Sequence, residues 1–483
     1  MSLRRRVLLS KGVLMMSPLA KCSGNARTPK NCTLKHCRDR VCYVHQSMSH
    51  GSREDKKRRA VIIGGGMAGL STALALSRNC IPSCDSSTVF DEIVVYEKRN
   101  ESDAEGGAAI SLWSNGWRSL DALGIGDQLR TSSHEKSSDG SFGHDYQRLD
   151  RVQLRTQDGT LMKEFELEEC SAAGLVDVES RGIRRGLLSK CMKSALEELS
   201  HKSDHVTLNY GESVIDIRDK PSTNGRESTV ILEGGREITA DLVVVADGAK
   251  SKLRQKLGLN APNFAGYAAV RGVATLPSSE TCKQIVGSNT ICQYFGSGVR
   301  FGMYPLSESE IYWFVCFNAT EGVRLPDKQA IKQEALRHVD DRWTDAVKKC
   351  VQFTEDSALS YGDIIDNWAP PLQLLGRPIA FVGDANHSMT PNLGQGGCCA
   401  LEDAVEIAKF LKQSGDVSEA ISSYQKSRAI RCIPIAIKSY IIGFALQIDN
   451  PAICYIRDSF IVPKVFSPKS FLNHTVWECP KLT

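Results

Sequence analysis

The sequence lacks three features that would each indicate a different class of protein. It has no run of about 18 or more uncharged apolar residues, so it predicts no membrane-spanning helix. Its formal net charge is only +4 in 483 residues, which argues against a broad basic surface for nucleic acid. It also lacks Cys and His residues at the spacing of a common metal module, and no metal is expected.

Residues 433–448 come closest to a long apolar run, but Lys438 interrupts them. A segment of this length is typical of a buried helix. The alternative is a surface that rests on a membrane, so peripheral membrane contact is left open.

The first 53 residues differ in composition from the rest of the chain. They contain many Lys, Arg and Ser residues but a single acidic residue, Asp39. This composition is typical of an organelle transit peptide and predicts import into the chloroplast, with the mitochondrion as the alternative. The segment also holds Cys32, His36, Cys37 and Cys42, whose spacing fits no common zinc module.

The 17 cysteines are scattered and odd in number, which favours a reducing compartment. The neighbouring pair Cys398 and Cys399 and the pair Cys80 and Cys84 can be redox-active cysteines. Small, packed side chains are the preferred interpretation of both pairs.

A glycine-rich turn follows the first strongly apolar segment. Residues 60–63 form a short β-branched run, which predicts a buried strand. Gly64–Gly69 then match the spacing G-x-G-x-x-G, and a helical stretch follows. Gly64 permits the tight turn, Gly66 lets the backbone approach a pyrophosphate, and Gly69 lets the helix pack closely. The pattern predicts a dinucleotide-binding unit.

Glu97 supports this prediction because it ends a second apolar strand, residues 93–96. A carboxylate at this position accepts hydrogen bonds from a ribose and disfavours a 2′-phosphate, which indicates FAD or NAD. Glu97 follows Gly69 by 28 residues, more than the usual 20 or so. A polar loop at residues 80–90 explains the excess.

A second segment, residues 241–248, is an apolar strand that ends in Asp247 and Gly248. Polar side chains able to hold phosphate or ribose oxygens follow it, namely Lys250, Ser251 and Arg254. An ordinary strand and turn is an equally good interpretation of this segment taken alone.

The third segment is the most specific. A strand over residues 379–382 precedes Gly383–His387, and Pro391–Gly397 open a long helix. Asp384 at the strand end can bind polyol hydroxyls, and the glycine-rich helix start offers backbone N–H groups to an anionic ring. His387 is a candidate base, but a structural role in this turn is the preferred interpretation.

Together these segments resemble the flavoprotein monooxygenases with the aromatic-hydroxylase fold, especially the salicylate-hydroxylase and zeaxanthin-epoxidase-like branches. The marks are the turn at Gly64–Gly69, Asp247-Gly248, and Gly383-Asp384 with Glu402-Asp403-Ala404. The resemblance covers about residues 58–427. It implies an α/β fold in which a Rossmann-type FAD-binding domain is interleaved with a β-sheet substrate domain and followed by C-terminal helices.

The implied domains are discontinuous. The FAD-binding domain would comprise residues 58–130, 175–260 and 360–417. The substrate domain would comprise residues 131–174 and 261–359, and residues 418–483 would form the helical tail.

The resemblance also implies how FAD is held. Its contacts would be Gly64, Gly66, Met67, Ala68 and Gly69 at the pyrophosphate, Glu97 at the adenosine ribose, Arg185 at a helix start, Asp247 and Gly248 near the pyrophosphate, Asp384 at the ribityl chain, and Pro391, Gly394, Gly396 and Gly397 beside the isoalloxazine. Arg184 is the alternative to Arg185 if the register differs. No side chain is implied to be catalytic, because the backbone of Gly394, Gln395, Gly396 and Gly397 would face the flavin ring.

Between the cofactor segments, residues 293–295, 299–306 and 311–317 predict an antiparallel meander. In the family such a sheet covers the flavin and lines the substrate pocket. Candidate wall residues are Phe301, Met303 and Trp313, with ordinary sheet packing as the more frequent role of any one of them.

The implied activity is an FAD-dependent monooxygenase. NAD(P)H would reduce the flavin, O2 would form a C4a-hydroperoxide, and one oxygen atom would hydroxylate or epoxidise a small aromatic or isoprenoid-type substrate. Because only one glycine-rich fingerprint is present, NAD(P)H is expected to bind transiently. The alternatives are an FAD-dependent reductase or dehydrogenase of the same fold acting on a lipid or polyprenyl substrate, and an inactive flavin-binding scaffold. A monomer or homodimer is expected.

Overall fold

The structure is a computed structural model that describes residues 57–79, 90–104, 108–131, 147–169, 178–203, 205–222 and 225–482. The predicted transit peptide with its Cys32–Cys42 group lies outside the described residues. So does the loop that carries Cys80 and Cys84.

The strands of the described residues are β1 (Arg59–Ile63), β2 (Glu92–Glu97), β3 (Ala109–Leu112), β4 (Arg151–Thr156), β5 (Leu161–Glu166), β6 (Arg181–Arg184), β7 (Val206–Tyr210), β8 (Val214–Ser222), β9 (Gly225–Leu232), β10 (Glu237–Ala240), β11 (Leu242–Val245), β12 (Asn263–Thr275), β13 (Thr290–Phe295), β14 (Val299–Pro305), β15 (Glu310–Asn318), β16 (Ser360–Asp366) and β17 (Ile379–Phe381).

The α-helices are α1 (Met67–Asn79), α2 (Glu101–Ala104), α3 (Ser114–Ala122), α4 (Gly126–Thr131), α5 (Arg185–Ser203), α6 (Lys252–Lys256), α7 (Ser279–Val286), α8 (Lys328–His338), α9 (Asp345–Gln352), α10 (Asp384–His387), α11 (Gly396–Gln413), α12 (Val417–Leu446), α13 (Pro451–Ile456) and α14 (Pro468–Leu472). Short 3₁₀ turns lie at Asp356–Ala358, Leu372–Leu374, Pro391–Leu393 and Asn473–Thr475, and Arg457–Val465 form a π-helix.

A parallel five-stranded sheet has the order β17-β11-β1-β2-β7. Its central strands are short, β-branched and almost fully buried, as expected for strands covered on both faces. Ile62 of β1 is in register with Val244 of β11 and Val95 of β2. This arrangement places the ends of β1, β2, β11 and β17 at one edge, where all three predicted cofactor segments begin.

A seven-stranded sheet has the order β16-β12-β15-β14-β13-β4-β5. Strands β13, β14 and β15 form the predicted antiparallel meander, with Gln293 opposite Gly302 and Phe301 opposite Val315. β16 pairs with β12, although the sequence placed residues 360–366 in the FAD-binding part. Two smaller assemblies, β8–β10 and β3 with β6, complete the sheet structure of the described residues.

Helix α12 is bonded to the parallel five-stranded sheet near its N-terminal end. The Tyr424 hydroxyl and the Gln425 amide donate hydrogen bonds to the carbonyl oxygens of Phe381 and Ile379 in β17, at 2.9 Å each. Pro434 lies inside the helix. By length and composition alone, α12 could cross a membrane, because its most apolar 18-residue window has a mean hydropathy of 1.6.

Candidate active site

The turn between β1 and α1 has two glycines that the fold itself requires. Gly64 has a φ of +113°, and a Cβ there would overlap the carbonyl oxygen of Ala246 at the end of β11. A Cβ at Gly69 would overlap the carbonyl oxygen of Gly64. At Gly66, by contrast, an added Cβ would meet no atom of the described residues within 4 Å. The open space beside Gly66 fits the phosphate predicted there.

Glu97 at the end of β2 is buried beneath this turn. Its Oε2 accepts a 2.7 Å hydrogen bond from the Gly65 N–H, and its Oε1 accepts from the Arg99 N–H at 3.0 Å. Burial opposes ionisation of Glu97, but these bonds and the Arg99 guanidinium outweigh burial and lower the pKa of the carboxyl. The predicted ribose ligand is therefore an anion that also holds the glycine turn.

Asp247 and Gly248 follow β11 at the same edge. Asp247 Oδ1 is buried and has no hydrogen-bond partner within the described part of the chain. Burial raises the pKa of Asp247, and the Ser251 hydroxyl offsets this only in part. Such an atom fits a hydrogen-bond donor of a bound ligand. Gly248, with a φ of +88°, makes the turn.

Among the polar residues predicted after Gly248 to hold phosphate or ribose oxygens, Lys250 is exposed, whereas Arg254 points into the protein. Arg254 is 1% exposed, and its guanidinium donates to the backbone oxygens of Asn260, Ala385 and Ala369. Ser251 accepts from the Arg254 N–H and caps α6. The sequence alone does not distinguish an arginine that binds phosphate from one that donates hydrogen bonds to backbone oxygens.

The third predicted segment meets the start of α1. A Cβ at Gly383, whose φ is +57°, would lie 2.7 Å from the Ala68 Cβ. A Cβ at Gly397 would lie 3.1 Å from Cε of Met67. A Cβ at Gly396 would lie 3.8 Å from Oδ1 of Asp384, whose side chain is exposed. The structure thus brings the first and third predicted segments together at one edge of the sheet.

The loop at Pro391–Leu393 and Gly394 leads into α11. Gly394 has a left-handed backbone with a φ of +62°, and an added Cβ would lie 2.8 Å from Nε1 of Trp113. Both Trp113 Nε1 and Gln395 Nε2 are buried and lack a hydrogen-bond partner in the part of the chain that the structure describes. These unpaired donors, together with the first N–H groups of α11, suit an electron-rich ring edge.

A buried polar network lies behind this loop, and His387 belongs to it. Asp403 accepts hydrogen bonds from the Gly383 N–H and from Nε2 of His387 at 2.7 Å each, and from Nε of Arg428 at 2.6 Å. Burial opposes ionisation of Asp403, but the charges of His387 and Arg428 outweigh it and lower the pKa. His387 therefore holds the Gly383 turn from behind.

The same network continues to Glu402, which accepts from Arg428 Nη2 and Arg431 Nη2 at 2.8 Å and from Asn115 Nδ2 at 2.7 Å. His387, Asp403 and Cys432 are close enough to hold a metal ion. The Arg428 guanidinium, however, already contacts Asp403 and donates to Cys432 Sγ at 3.3 Å. The Arg428 guanidinium thus already supplies a positive charge at this cluster. Sequence reasoning missed Arg428 and Arg431 because they lie beyond the motif Glu402-Asp403-Ala404.

The structure separates the two candidate arginines at the start of α5. Arg184 forms an ion pair with Glu310 of β15, with 2.5 Å between Nη2 and Oε1. Arg185 is exposed and forms no ion pair with any described residue. Of the two, Arg185 is the side chain available to a ligand.

A cavity of about 490 Å³ lies between the seven-stranded sheet, the Pro391–Gly394 loop and the C-terminal helices. The loop and β3 side contributes Ser111, Trp113, Pro391, Asn392, Leu393 and Gly394. The sheet contributes Val152, Leu154, Phe165, Ile291, Gln293, Phe295, Arg300, Tyr304 and Phe314. The C-terminal part includes Lys438, Ile442, Ala445, Leu446, Arg457, Ile461, Val462, Val465, Phe466 and Phe471.

The prediction that Phe301, Met303 and Trp313 line this cavity is wrong. They lie on the opposite face of the sheet, in a core formed with helices α7, α8 and α9. Trp313 stacks on Phe301 with 5.5 Å between ring centroids and donates to Thr354 Oγ1 at 2.7 Å. Side chains along β14 and β15 alternate between the two faces of the sheet, but this alternation does not predict which face lines the cavity.

Arg300 is the side chain of the cavity that sequence reasoning most clearly missed. It is 3% exposed, and its Nε has no hydrogen-bond partner among the described residues. Its Nη2 donates weakly to Cys316 Sγ at 3.6 Å, and the guanidinium stands 5.3 Å from the centre of the Phe314 ring. A buried cation without a carboxylate partner is costly unless a ligand pairs with it.

These features define a nucleotide-binding flavoprotein fold with a large apolar cavity next to the cofactor segments. Residues 57–432 match the family described as the FAD binding domain. The chain therefore belongs to this family and is an FAD-dependent monooxygenase with FAD as its cofactor.

The chain is similar along most of its length to several known proteins. Monooxygenase 1 of Arabidopsis thaliana is 28% identical over 444 residues, which cover 87% of this chain and 98% of that protein. Aurachin C monooxygenase/isomerase of Stigmatella aurantiaca is 30% identical over 403 residues, covering 83% and 93%. The structure of Klebsiella pneumoniae HpxO complexed with FAD and uric acid has a TM-score of 0.69 at 24% identity, covering 86% of this chain and 96% of that one.

Proposed function

We propose that the protein uses NAD(P)H and O2 to hydroxylate or epoxidise a largely apolar aromatic or isoprenoid-type substrate. The observation that carries the proposal is the cavity of about 490 Å³ bordered by the same Pro391–Gly394 loop that is predicted to meet the flavin ring. A substrate in this cavity would lie against the reacting edge of the cofactor.

Bound FAD would supply the redox chemistry by accepting hydride from NAD(P)H and mediating transfer of one atom of O2. The turn at Gly64–Gly69 would hold its diphosphate, Glu97 its ribose and Asp384 its ribityl chain. Backbone N–H groups of Gly394–Gly397 would stabilise negative charge at the ring, where losing one such donor costs about 3 kcal/mol. The apolar walls would exclude water.

Arg300 supports a more specific proposal for the substrate. Because this buried cation lines the cavity and its Nε has no hydrogen-bond partner among the described residues, it suits an ionised or electron-rich oxygen of the substrate. Phe295, Phe314 and Leu154 would contact the apolar body. The proposed substrate is thus amphipathic, with one oxygen-bearing head and an apolar remainder.

Labelled oxygen tests the proposed reaction. The purified protein is incubated with NADPH or NADH, ¹⁸O2 and a panel of phenols, quinolones and isoprenoids that differ in their ionised head group. Substrate-dependent oxidation of NAD(P)H with one ¹⁸O atom in the product is expected. A product without ¹⁸O, formed together with NAD(P)H oxidation, would instead identify the reductase or dehydrogenase alternative.

We also propose that the protein acts in the chloroplast, on the composition of residues 1–53. A fusion of residues 1–60 to a fluorescent protein should be imported by isolated chloroplasts and shortened by cleavage. Import only by mitochondria would favour the alternative organelle.

A further inference from the structure

The C-terminal helices expose an unusual number of large apolar side chains. Among the described residues, nine of the sixteen exposed large apolar side chains lie between residues 440 and 465. We call them the C-terminal apolar face: Tyr440, Ile441, Phe444, Ile453, Tyr455, Ile456, Phe460, Ile461 and Val465. Exposed apolar residues concentrated in this way mark an interaction surface, because scattered ones would be spread along the chain.

Helix α12 passes from the core to this face. Near its start, Tyr424, Gln425 and Arg428 are buried and bonded to β17 and to the polar network. Its most apolar window of 18 residues is nevertheless only 28% buried, whereas a core helix would be mostly covered. Phe444 is 67% exposed and Ile441 60%. One side of the second half of α12 is therefore buried, whereas the side that carries Ile441 and Phe444 is apolar and exposed.

The cavity and the apolar face share residues. Ala445, Ile461 and Val465 line the cavity and are also exposed, so they stand at its mouth. Leu446 and Val462, their neighbours along the chain, line the cavity farther from solvent. An apolar ligand that leaves the cavity here meets the apolar face before it meets water.

The charges beside the face are mainly positive. Lys464 and Lys469 are exposed, and the Lys464 ammonium lies 5.3 Å from the centre of the exposed Phe460 ring. Asp449 is exposed, whereas Asp458 pairs with the buried Arg457 at 2.6 Å. Aromatic and aliphatic side chains beside lysines are typical of helices that lie in the interface of an anionic bilayer.

We propose that the C-terminal apolar face rests on a lipid bilayer and that the cavity takes its apolar substrate from that bilayer through the mouth at Ala445, Ile461 and Val465. The second half of this statement depends on the proposed function, whereas the first does not. A second copy of the chain seated on the face would cover the mouth, which argues for lipid as the occupant.

Vesicle binding by the full-length, FAD-loaded protein tests the proposal. The protein should co-sediment with phosphatidylcholine vesicles, and more strongly when they contain phosphatidylglycerol, with the difference reduced by salt. Phe444→Glu and Phe460→Glu should each lower the partition coefficient about tenfold or more, because an apolar ring no longer enters the interface. Neither residue lines the cavity.

Ile215→Glu is the matched control, because Ile215 is 41% exposed on β8 of the three-stranded sheet. It should bind vesicles like the unchanged protein. Protein that stays in the supernatant with both kinds of vesicle would overturn the proposal. So would a dimer, measured by light scattering, that Phe444→Glu dissociates while vesicle binding is absent.

Failure of the proposed function would be seen separately, since FAD content and ¹⁸O incorporation from a water-soluble substrate do not require vesicles. If both are present, substrate delivered in vesicles should be consumed several-fold more slowly by Phe444→Glu, while turnover of the soluble substrate is unchanged. Equal loss on both substrates would contradict delivery through the mouth.

Discussion

The two main sheets use their residues in opposite ways. In the parallel five-stranded sheet, the groups predicted to bind the cofactor stand at strand ends, and most are backbone atoms released by glycine turns. In the seven-stranded sheet, the cavity is built from side chains on one face, while the other face packs against helices α7–α9. The cofactor segments therefore depend on the spacing of glycines along the chain. The cavity depends on which face of the seven-stranded sheet is covered by helices.

The sequence therefore predicts the role of the five-stranded sheet better than that of the seven-stranded sheet. A glycine that permits a close approach leaves a recognisable spacing, whereas a phenylalanine looks the same on either face of a strand. Three experiments test the comparison, from the largest expected effect to the smallest.

The strongest test of a site made from backbone is Gly66→Val. Because a Cβ at Gly66 meets no atom of the described residues within 4 Å, the variant should fold with little change in stability, yet it should lose FAD almost completely since the side chain fills the space for phosphate. Absorbance near 450 nm against protein concentration measures the loss. Gly69→Val is the contrast, because its Cβ overlaps Gly64 and should also unfold the turn. A yellow, active Gly66→Val protein would refute the assignment.

The two faces of the seven-stranded sheet are compared by Trp313→Ala and Phe314→Ala, which are neighbours in β15. Trp313→Ala should destabilise the protein by about 3–5 kcal/mol, because it leaves a void in a closed core. Phe314→Ala should destabilise it less and raise KM, because Phe314 already borders a cavity. Chemical denaturation and steady-state kinetics separate the two. A larger KM effect from Trp313→Ala would reverse our assignment of the faces.

The buried polar network around Asp403 and Glu402 should make the stability of the protein depend on pH. The charges of His387 and Arg428 lower the pKa of Asp403 despite its burial, and those of Arg428 and Arg431 do so for Glu402. Their contribution is fully present above the unfolded values near pH 4 and is lost as the pH falls through the lower folded values. Tm should therefore fall between about pH 5 and 3, with a shallower slope in Asp403→Asn. An identical slope in the variant would assign the acid sensitivity elsewhere.

Much of the cofactor half was predictable from the sequence. The turn at Gly64–Gly69, the strand before Glu97 and the helix after Gly397 are found where the spacing placed them. The sequence also predicted the meander β13–β15 and a structural position for His387, which holds the Gly383 turn.

The rest depended on contacts between residues distant in sequence. The sequence predicts Arg254 near phosphate, but its guanidinium donates to the backbone oxygens of Ala385 and Ala369, which lie more than a hundred residues away along the chain. Arg300 gave no local signal, since its importance comes from burial without a partner. The sequence contains an apolar run near residue 440, but only the fold shows that this run borders the cavity.

Pro434 gives α12 a further property. Proline has no N–H to donate to the carbonyl oxygen of Ile430, so α12 lacks one internal hydrogen bond at this point, although it stays helical from Val417 to Leu446. Arg428 anchors the segment before Pro434, while Ile442, Ala445 and Leu446 after it line the cavity. Pro434 therefore separates the part of α12 that is anchored beside the cofactor turn from the part that lines the cavity.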